Sequence, residues 1–130
     1  FERDAIKQRA KEVRAAKSAK ADPEAEVLAK IAEMRESDRV LAEAIHAIVK
    51  EQAPELTSRT WYGMPAYAKN GKIVCHFQPA EKFNTRYAIL GFSDPAALDD
   101  GAMWPTAYAL TTLGAAEQKR IADLIARAVA

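Results

Sequence analysis

Between Tyr67-Ala68-Lys69 and Lys72-Ile73-Val74 stands the dipeptide Asn70-Gly71, and it leaves this chain few architectures. Both residues tolerate the positive φ that a two-residue type I′ turn demands, so the runs on either side are antiparallel neighbours. The texture around them agrees. From Thr57 onward, short runs of aromatic and β-branched residues alternate with turn formers, the signature of an antiparallel sheet. The pattern predicts strands at 58–62, 65–69, 72–78, 85–91 and 106–112. A longer loop at 93–105 carries Asp94, Asp99, Asp100, Gly101 and Trp104.

Ahead of Thr57 the chain is rich in Ala, Glu, Lys and Arg, a helical composition broken once, at Asp22-Pro23-Glu24. That break reads as a helix start: Asp22 can cap, Pro23 fits the first turn, and Glu24 and Glu26 suit the positive end of the dipole. The helix turns Val27, Leu28, Ile31 and Met34 inward. A further helix opens at Ser37-Asp38, with Leu41, Ala44, Ile45 and Ile48 at i, i+3, i+4 and i+7 and Pro54 just past its end. Ile121, Leu124, Ile125 and Ala128 give a C-terminal amphipathic helix from about Ala115. The expected fold is therefore α+β: an antiparallel sheet of about five strands, covered on one face by the helix from Ser37 and the C-terminal helix, with the N-terminal helices added outside. The organisation is a single domain over 1–130, with a basic helical extension at 1–20, helices at 21–55, the sheet at 57–112 and the last helix at 115–130.

A chain of 130 residues has room for one core, and one of that size holds together without disulfides. Its single cysteine, Cys75, and the lack of a long apolar run point to a soluble protein of a reducing cytoplasm. Net charge is +1, with 19 basic and 18 acidic residues, so charge gives no general signal for nucleic acid or membrane. The distribution is uneven: residues 1–20 carry +4 and residues 21–55 carry −5. On an ideal helix Arg3, Lys7, Lys11, Arg14 and Lys17 form one basic stripe. No nucleic-acid recognition motif accompanies it.

Ser37-Asp38-Arg39 and the helix after it, then Trp61-Tyr62-Gly63-Met64-Pro65-Ala66-Tyr67, then Asn70-Gly71-Lys72-Ile73-Val74-Cys75-His76-Phe77, resemble in this order the YdhG-like family of small α+β domains. The resemblance spans roughly residues 35–130, and Gly-Met-Pro-x-Tyr is its most specific tract. It implies a helix-flanked antiparallel sheet and no agreed enzymatic activity. For some relatives it implies a frataxin-like role in intracellular iron handling. Frataxins carry an acidic ridge on the first helix, whereas the first helix here is basic.

Turn geometry and packing account for Gly63-Met64-Pro65 as a tight corner between strands. Read functionally, the same corner makes a concavity lined by Tyr62, Met64 and Tyr67, with help from Arg86 and Trp104, where a small molecule or peptide could bind. Strand alternation sends Trp61 and Tyr62 to opposite faces. Cys75 and His76 are adjacent in a strand, so the thiol and imidazole diverge and cannot share a metal ion or a proton. Cys75 shares a face with Ile73 and Phe77 and reads as a buried, inert thiol, and His76 shares one with Val74 and Gln78 and reads as a structural hydrogen-bonder. His46 has no His or Cys at i+4 to form a helical zinc pair. Iron would seek carboxylates, and Asp94, Asp99 and Asp100 are the first candidates, although Asp-Pro and Asp-Gly are also ordinary turn chemistry. Glu24, Glu26, Glu33, Glu36 and Asp38 read as solvated surface. No nucleophile and base are paired, so the expectations are a binding domain, monomeric or homodimeric, with no cofactor other than iron, and as the alternative an iron chaperone.

Overall fold

The structure, a computed structural model, describes residues 22–130. The extension at 1–20, with its basic stripe, lies outside the described residues. The described elements run α1 (Glu24–Glu33), α2 (Glu36–Gln52), β1 (Thr57–Trp61), β2 (Met64–Lys69), β3 (Lys72–Gln78), α3 (Ala80–Phe83), β4 (Ala88–Phe92), β5 (Ala107–Leu110) and α4 (Ala115–Ala128). The five strands form one sheet in the order β1-β2-β3-β4-β5, every neighbour antiparallel. The α+β class and the helix-flanked sheet are as the sequence predicts, but α1, expected outside, packs into the core through Val27 and Ile31.

One face of the sheet carries the core. Tyr67, Cys75, Phe77, Leu90 and Leu110 pack there with Val27 and Ile31 of α1, Leu41, Ile45 and Val49 of α2, and Ile121 and Ile125 of α4. Full burial of an aliphatic or aromatic side chain contributes about 1.5–3 kcal/mol, and packing of this kind is what holds α1 and α2. Neither has a side-chain hydrogen bond at its N-cap. Asp22 does not cap α1, whose N-cap position is taken by Pro23. At α4, Glu117 reaches back to accept the Gly114 N–H at 2.8 Å. Leu28, expected inward, is 48% exposed; α1 needs only the narrow stripe of Val27 and Ile31 to seat.

The register shifts between β2 and β3. Tyr67 pairs with Cys75 and Ala68 with Ile73, leaving Val74 as an extra residue. A bulge of this kind interrupts strict alternation. Val74 therefore joins Cys75 and Phe77 in the core, and Ile73 goes to the other side. The expected face-sharing of Cys75 with Ile73, and of His76 with Val74, is corrected accordingly.

The strand expected at 85–91 begins only at Ala88, since the chain leaves the one-turn helix α3 at Phe83 and bends at 86–87 before pairing. Asn84, at φ 52° in the left-handed region, closes that turn. The β5 strand is likewise shorter than 106–112. A four-residue helix has no periodicity to read, and its anchor lies far off in sequence. Asp38, only 2% exposed, accepts the backbone N–H of Ala80 at 2.9 Å and of Glu81 at 3.1 Å. The Arg35 Nε lies 3.2 Å from the same carboxylate. Asp38 is thus a buried tie between α2 and α3 and not the solvated residue expected.

Removing a buried charged acceptor leaves its donors unsatisfied. Asp38→Ala is expected to cost about 2–4 kcal/mol in urea unfolding, against less than about 0.5 kcal/mol for exposed Asp94→Ala.

Candidate functional site

Beyond the Asp38 tie, two groups of polar side chains stand out among the described residues, one inside the core and one at the β1–β2 corner. The inner group begins at Tyr67, which is 0% exposed. Its hydroxyl lies 3.0 Å from Nδ1 of His46, whose Nε2 lies 3.1 Å from Oε2 of Glu24. Lys50 Nζ donates to Oε1 of the same carboxylate at 2.7 Å. The roles follow from chemistry. An ionised carboxylate only accepts, so Nε2 of His46 carries the proton, and in the neutral ring Nδ1 accepts from the phenol. Burial pushes the Tyr67 phenol well above its ordinary range. The hydrogen bonds from Lys50 and then His46 hold the Glu24 carboxyl below its ordinary value. Glu24, expected to be solvated, is thus a working member of the network.

Tyr67 therefore belongs to the core, and with its phenol held neutral and shut off from solvent it offers no nucleophile. Cys75, its cross-strand neighbour, is equally inert, its thiol pushed up to about 12 by burial. A cleft of about 440 Å³ between α1 and α2 reaches the outer side of His46, with Leu28, Ile31, Ala32 and Ala47 on its walls.

The outer group sits at the corner. Trp61 pairs with Met64, so the turn between them is the two-residue loop Tyr62-Gly63. Both residues have positive φ, 51° and 75°, the same arrangement as Asn70-Gly71 at 53° and 79°. Asn-Gly is the preferred pair for such a turn, and a bulky aromatic there is an outlier. The Tyr62 carbonyl accepts from Lys82 Nζ. Its ring packs edge-on against Trp61 at 5.1 Å between centroids, and Trp61 packs edge-on against His76 at 5.0 Å. Trp61 and Tyr62 thus touch, contrary to the expected divergence, because the strand ends at Trp61 and alternation stops with it.

His76 lies against Gly91, where an added Cβ would come within 2.4 Å of its ring, so the strip needs glycine at that place. Its Nδ1 is buried without a hydrogen-bond partner among the described residues, which departs from the structural hydrogen-bonder expected. Burial also pushes its pKa down. Beside the corner lies a cleft of about 240 Å³ bordered by Gly63, Lys82, Lys30, Glu33, Asp38 and Glu81. Its lining is charged where the sequence suggested aromatics.

The residues expected to share a ligand site are dispersed. Met64 pairs with Trp61 and is buried, Tyr67 is in the core, and Arg86 stands over the Tyr87 ring at 5.2 Å. Trp104 instead borders a separate cleft of about 180 Å³ together with Asp94, Phe92 and Leu98. Tyr62 alone of the five sits exposed at the corner. Asp94, Asp99 and Asp100 are exposed, and among the described residues no three His, Cys, Asp or Glu side chains stand close enough to hold a metal ion. No described helix is long and apolar enough to cross a membrane. Sequence reasoning missed Lys82 and the contact of His76 with Trp61. The glycine at 91 opposite a histidine carried a trace of that contact, but only once the register was known. Comparison with family models, curated proteins and solved structures finds no match to this chain.

A carboxyl whose folded pKa is depressed contributes stability above its unfolded pKa and loses it as pH falls through the folded one. Glu24→Gln is therefore expected to flatten the acid limb of the stability–pH curve below the ordinary glutamate range, as read by urea unfolding at stepped pH.

Proposed function

We propose that this chain is a non-enzymatic binding domain whose ligand, a small molecule or peptide with an aromatic ring and one polar end, docks at the β1–β2 corner. The observation that carries the proposal is Tyr62, 77% exposed and held in the left-handed region at φ 51°. A non-glycine residue there costs on the order of 1–2 kcal/mol, which the edge-on contact with Trp61 offsets only in part. Asn would fill it without strain, as it does at position 70. An aromatic kept out in solvent at an energetic cost is accounted for by contact with something outside the chain.

The surroundings support this. Trp61 backs the Tyr62 ring and gives a second aromatic surface, which suits stacking on a planar ligand. Lys82, fixed against the Tyr62 carbonyl, and Lys30 border the adjoining cleft together with Glu33, Asp38 and Glu81, a lining of both charges where a polar end of the ligand fits. The YdhG-like resemblance agrees in implying no catalytic residues. Its iron-handling reading has no converging ligand set among the described residues, so the aromatic corner is preferred. We place the domain in a reducing cytoplasm on the strength of its one cysteine, buried and free.

The test is Tyr62→Asn. Relief of backbone strain offsets loss of the edge-on contact, so stability should stay within about 0.5 kcal/mol of the parent or rise. Aromatic carboxylic acid fragments that shift the Trp61 indole N–H resonance in the parent should no longer do so. A loss above about 2 kcal/mol would make Tyr62 a structural residue, and undiminished fragment shifts would remove it from the site.

A further inference from the structure

The two edges of the sheet are treated differently. β1 carries Arg59 in mid-strand, and α1 packs against it. Charge and cover are the usual means of blocking an open edge. β5, at the opposite edge, has no charged residue of its own and no cover among the described residues. From Gly101 to Ala116 the chain carries no charged residue, and within β5 both Ala107 and Ala109 are small and exposed.

Ladder geometry says which backbone groups this edge offers. Phe92 N–H donates to the Thr106 carbonyl at 2.7 Å, which makes Phe92 and Thr106 a hydrogen-bonded pair in the β4–β5 register. Such pairs alternate along an antiparallel ladder. Tyr108 and Leu110 therefore also turn their N–H and C=O toward β4, and Ala107 and Ala109 turn theirs outward. Among the described residues these outward groups have no backbone partner. Pro105 falls on the same outward register and lacks an N–H, so the usable edge begins at Ala107 and runs on toward Thr111.

We propose that β5 is a pairing edge at which two copies of this chain join antiparallel into one continuous sheet. The occupant is a second copy because the strand is self-complementary. With a two-fold axis through Ala109, Ala109 faces Ala109 of the second copy, Ala107 faces Thr111, and Tyr108 faces Leu110. The outward groups of 107, 109 and 111 then exchange about six hydrogen bonds. On the core side of the sheet each Tyr108–Leu110 contact is an aromatic–aliphatic cross-strand pair, a favourable kind. On the other side alanine meets alanine or threonine, and no like charges meet on the axis. The Arg120 guanidinium lies over the Tyr108 ring at 5.6 Å, with Asp123 one turn further along α4. The two α4 helices, antiparallel across the axis, bring both signs of charge to the contact. An isologous edge of this kind closes on itself and ends the assembly at a dimer.

Sedimentation equilibrium on the full chain tests the proposal. The parent is expected to be a reversible dimer at about 100 μM chain. Ala109→Lys puts two like charges on the axis without touching the β4 ladder, and should raise the dissociation constant at least about tenfold with an unchanged circular dichroism spectrum. Ala109→Pro, which removes the outward donor alone, should do the same and serves if the lysine variant fails to fold. A parent that remains monomeric at this concentration overturns the proposal. So does a dimer that both folded variants preserve, since it would use another surface.

Discussion

The hydrogen bond between the Tyr67 hydroxyl and His46 decides where the helices of this domain can stand. A phenol with no solvent access must find a partner, since a buried hydroxyl left unpaired costs about 1–3 kcal/mol. Nδ1 of His46, 3.0 Å away on α2, is that partner. The imidazole is itself buried, so its other nitrogen needs an acceptor, and Glu24 at the start of α1 supplies one. Glu24 in turn is held ionised by Lys50. Each polar group placed in the core obliges the next until the chain of contacts reaches solvent, and by then α1, α2 and β2 are fixed in mutual register. Apolar packing by Val27, Ile31 and Ile45 supplies most of the energy, but it would tolerate small slides that this network does not.

The same constraint separates fold from function. Tyr67 and Cys75 are used up by the core, where burial leaves both protonated. What remains available lies at the corner, where the β1–β2 turn presents Tyr62 and backs it with Trp61 and His76. The inner network and the outer strip meet at β2, which sends Tyr67 to one face while its first residue, Met64, pairs with Trp61 on the other. A domain built this way can change the residues at its corner without reworking its core.

The sheet and its three longer helices were legible in the sequence because each rests on local signals: Asn70-Gly71 for the central hairpin, the i, i+3, i+4, i+7 spacing from Leu41 for α2, the spacing from Ile121 for α4. What escaped was non-local. Asp38 and Glu24 look like surface acids because their partners, Ala80 and Glu81 for the one and His46 for the other, lie more than twenty positions away. The bulge at Val74 has no turn former to announce it, and it reverses the face of Ile73. A corner was readable through Gly63, but as Gly63-Met64-Pro65, whereas the turn is Tyr62-Gly63 and both Met64 and Pro65 belong to β2. That tyrosine would take the left-handed position, and so stop the strand one residue early, depends on the register of the flanking pair Trp61–Met64. Of the five residues grouped by sequence as one site, the corner holds Tyr62 exposed. The grouping drew on strand ends whose distances apart only the three-dimensional arrangement gives.

Nitrogen-15 NMR of the imidazoles, read with the hydroxyl protons, tests the Tyr67–His46–Glu24 network most directly. The neutral His46 ring should appear as a single Nε2–H tautomer, with a slowly exchanging Tyr67 hydroxyl proton correlated to Nδ1. A His46 ring averaging between tautomers, with no protected hydroxyl resonance for Tyr67, would contradict the account and leave the placement of α1 and α2 to apolar packing alone.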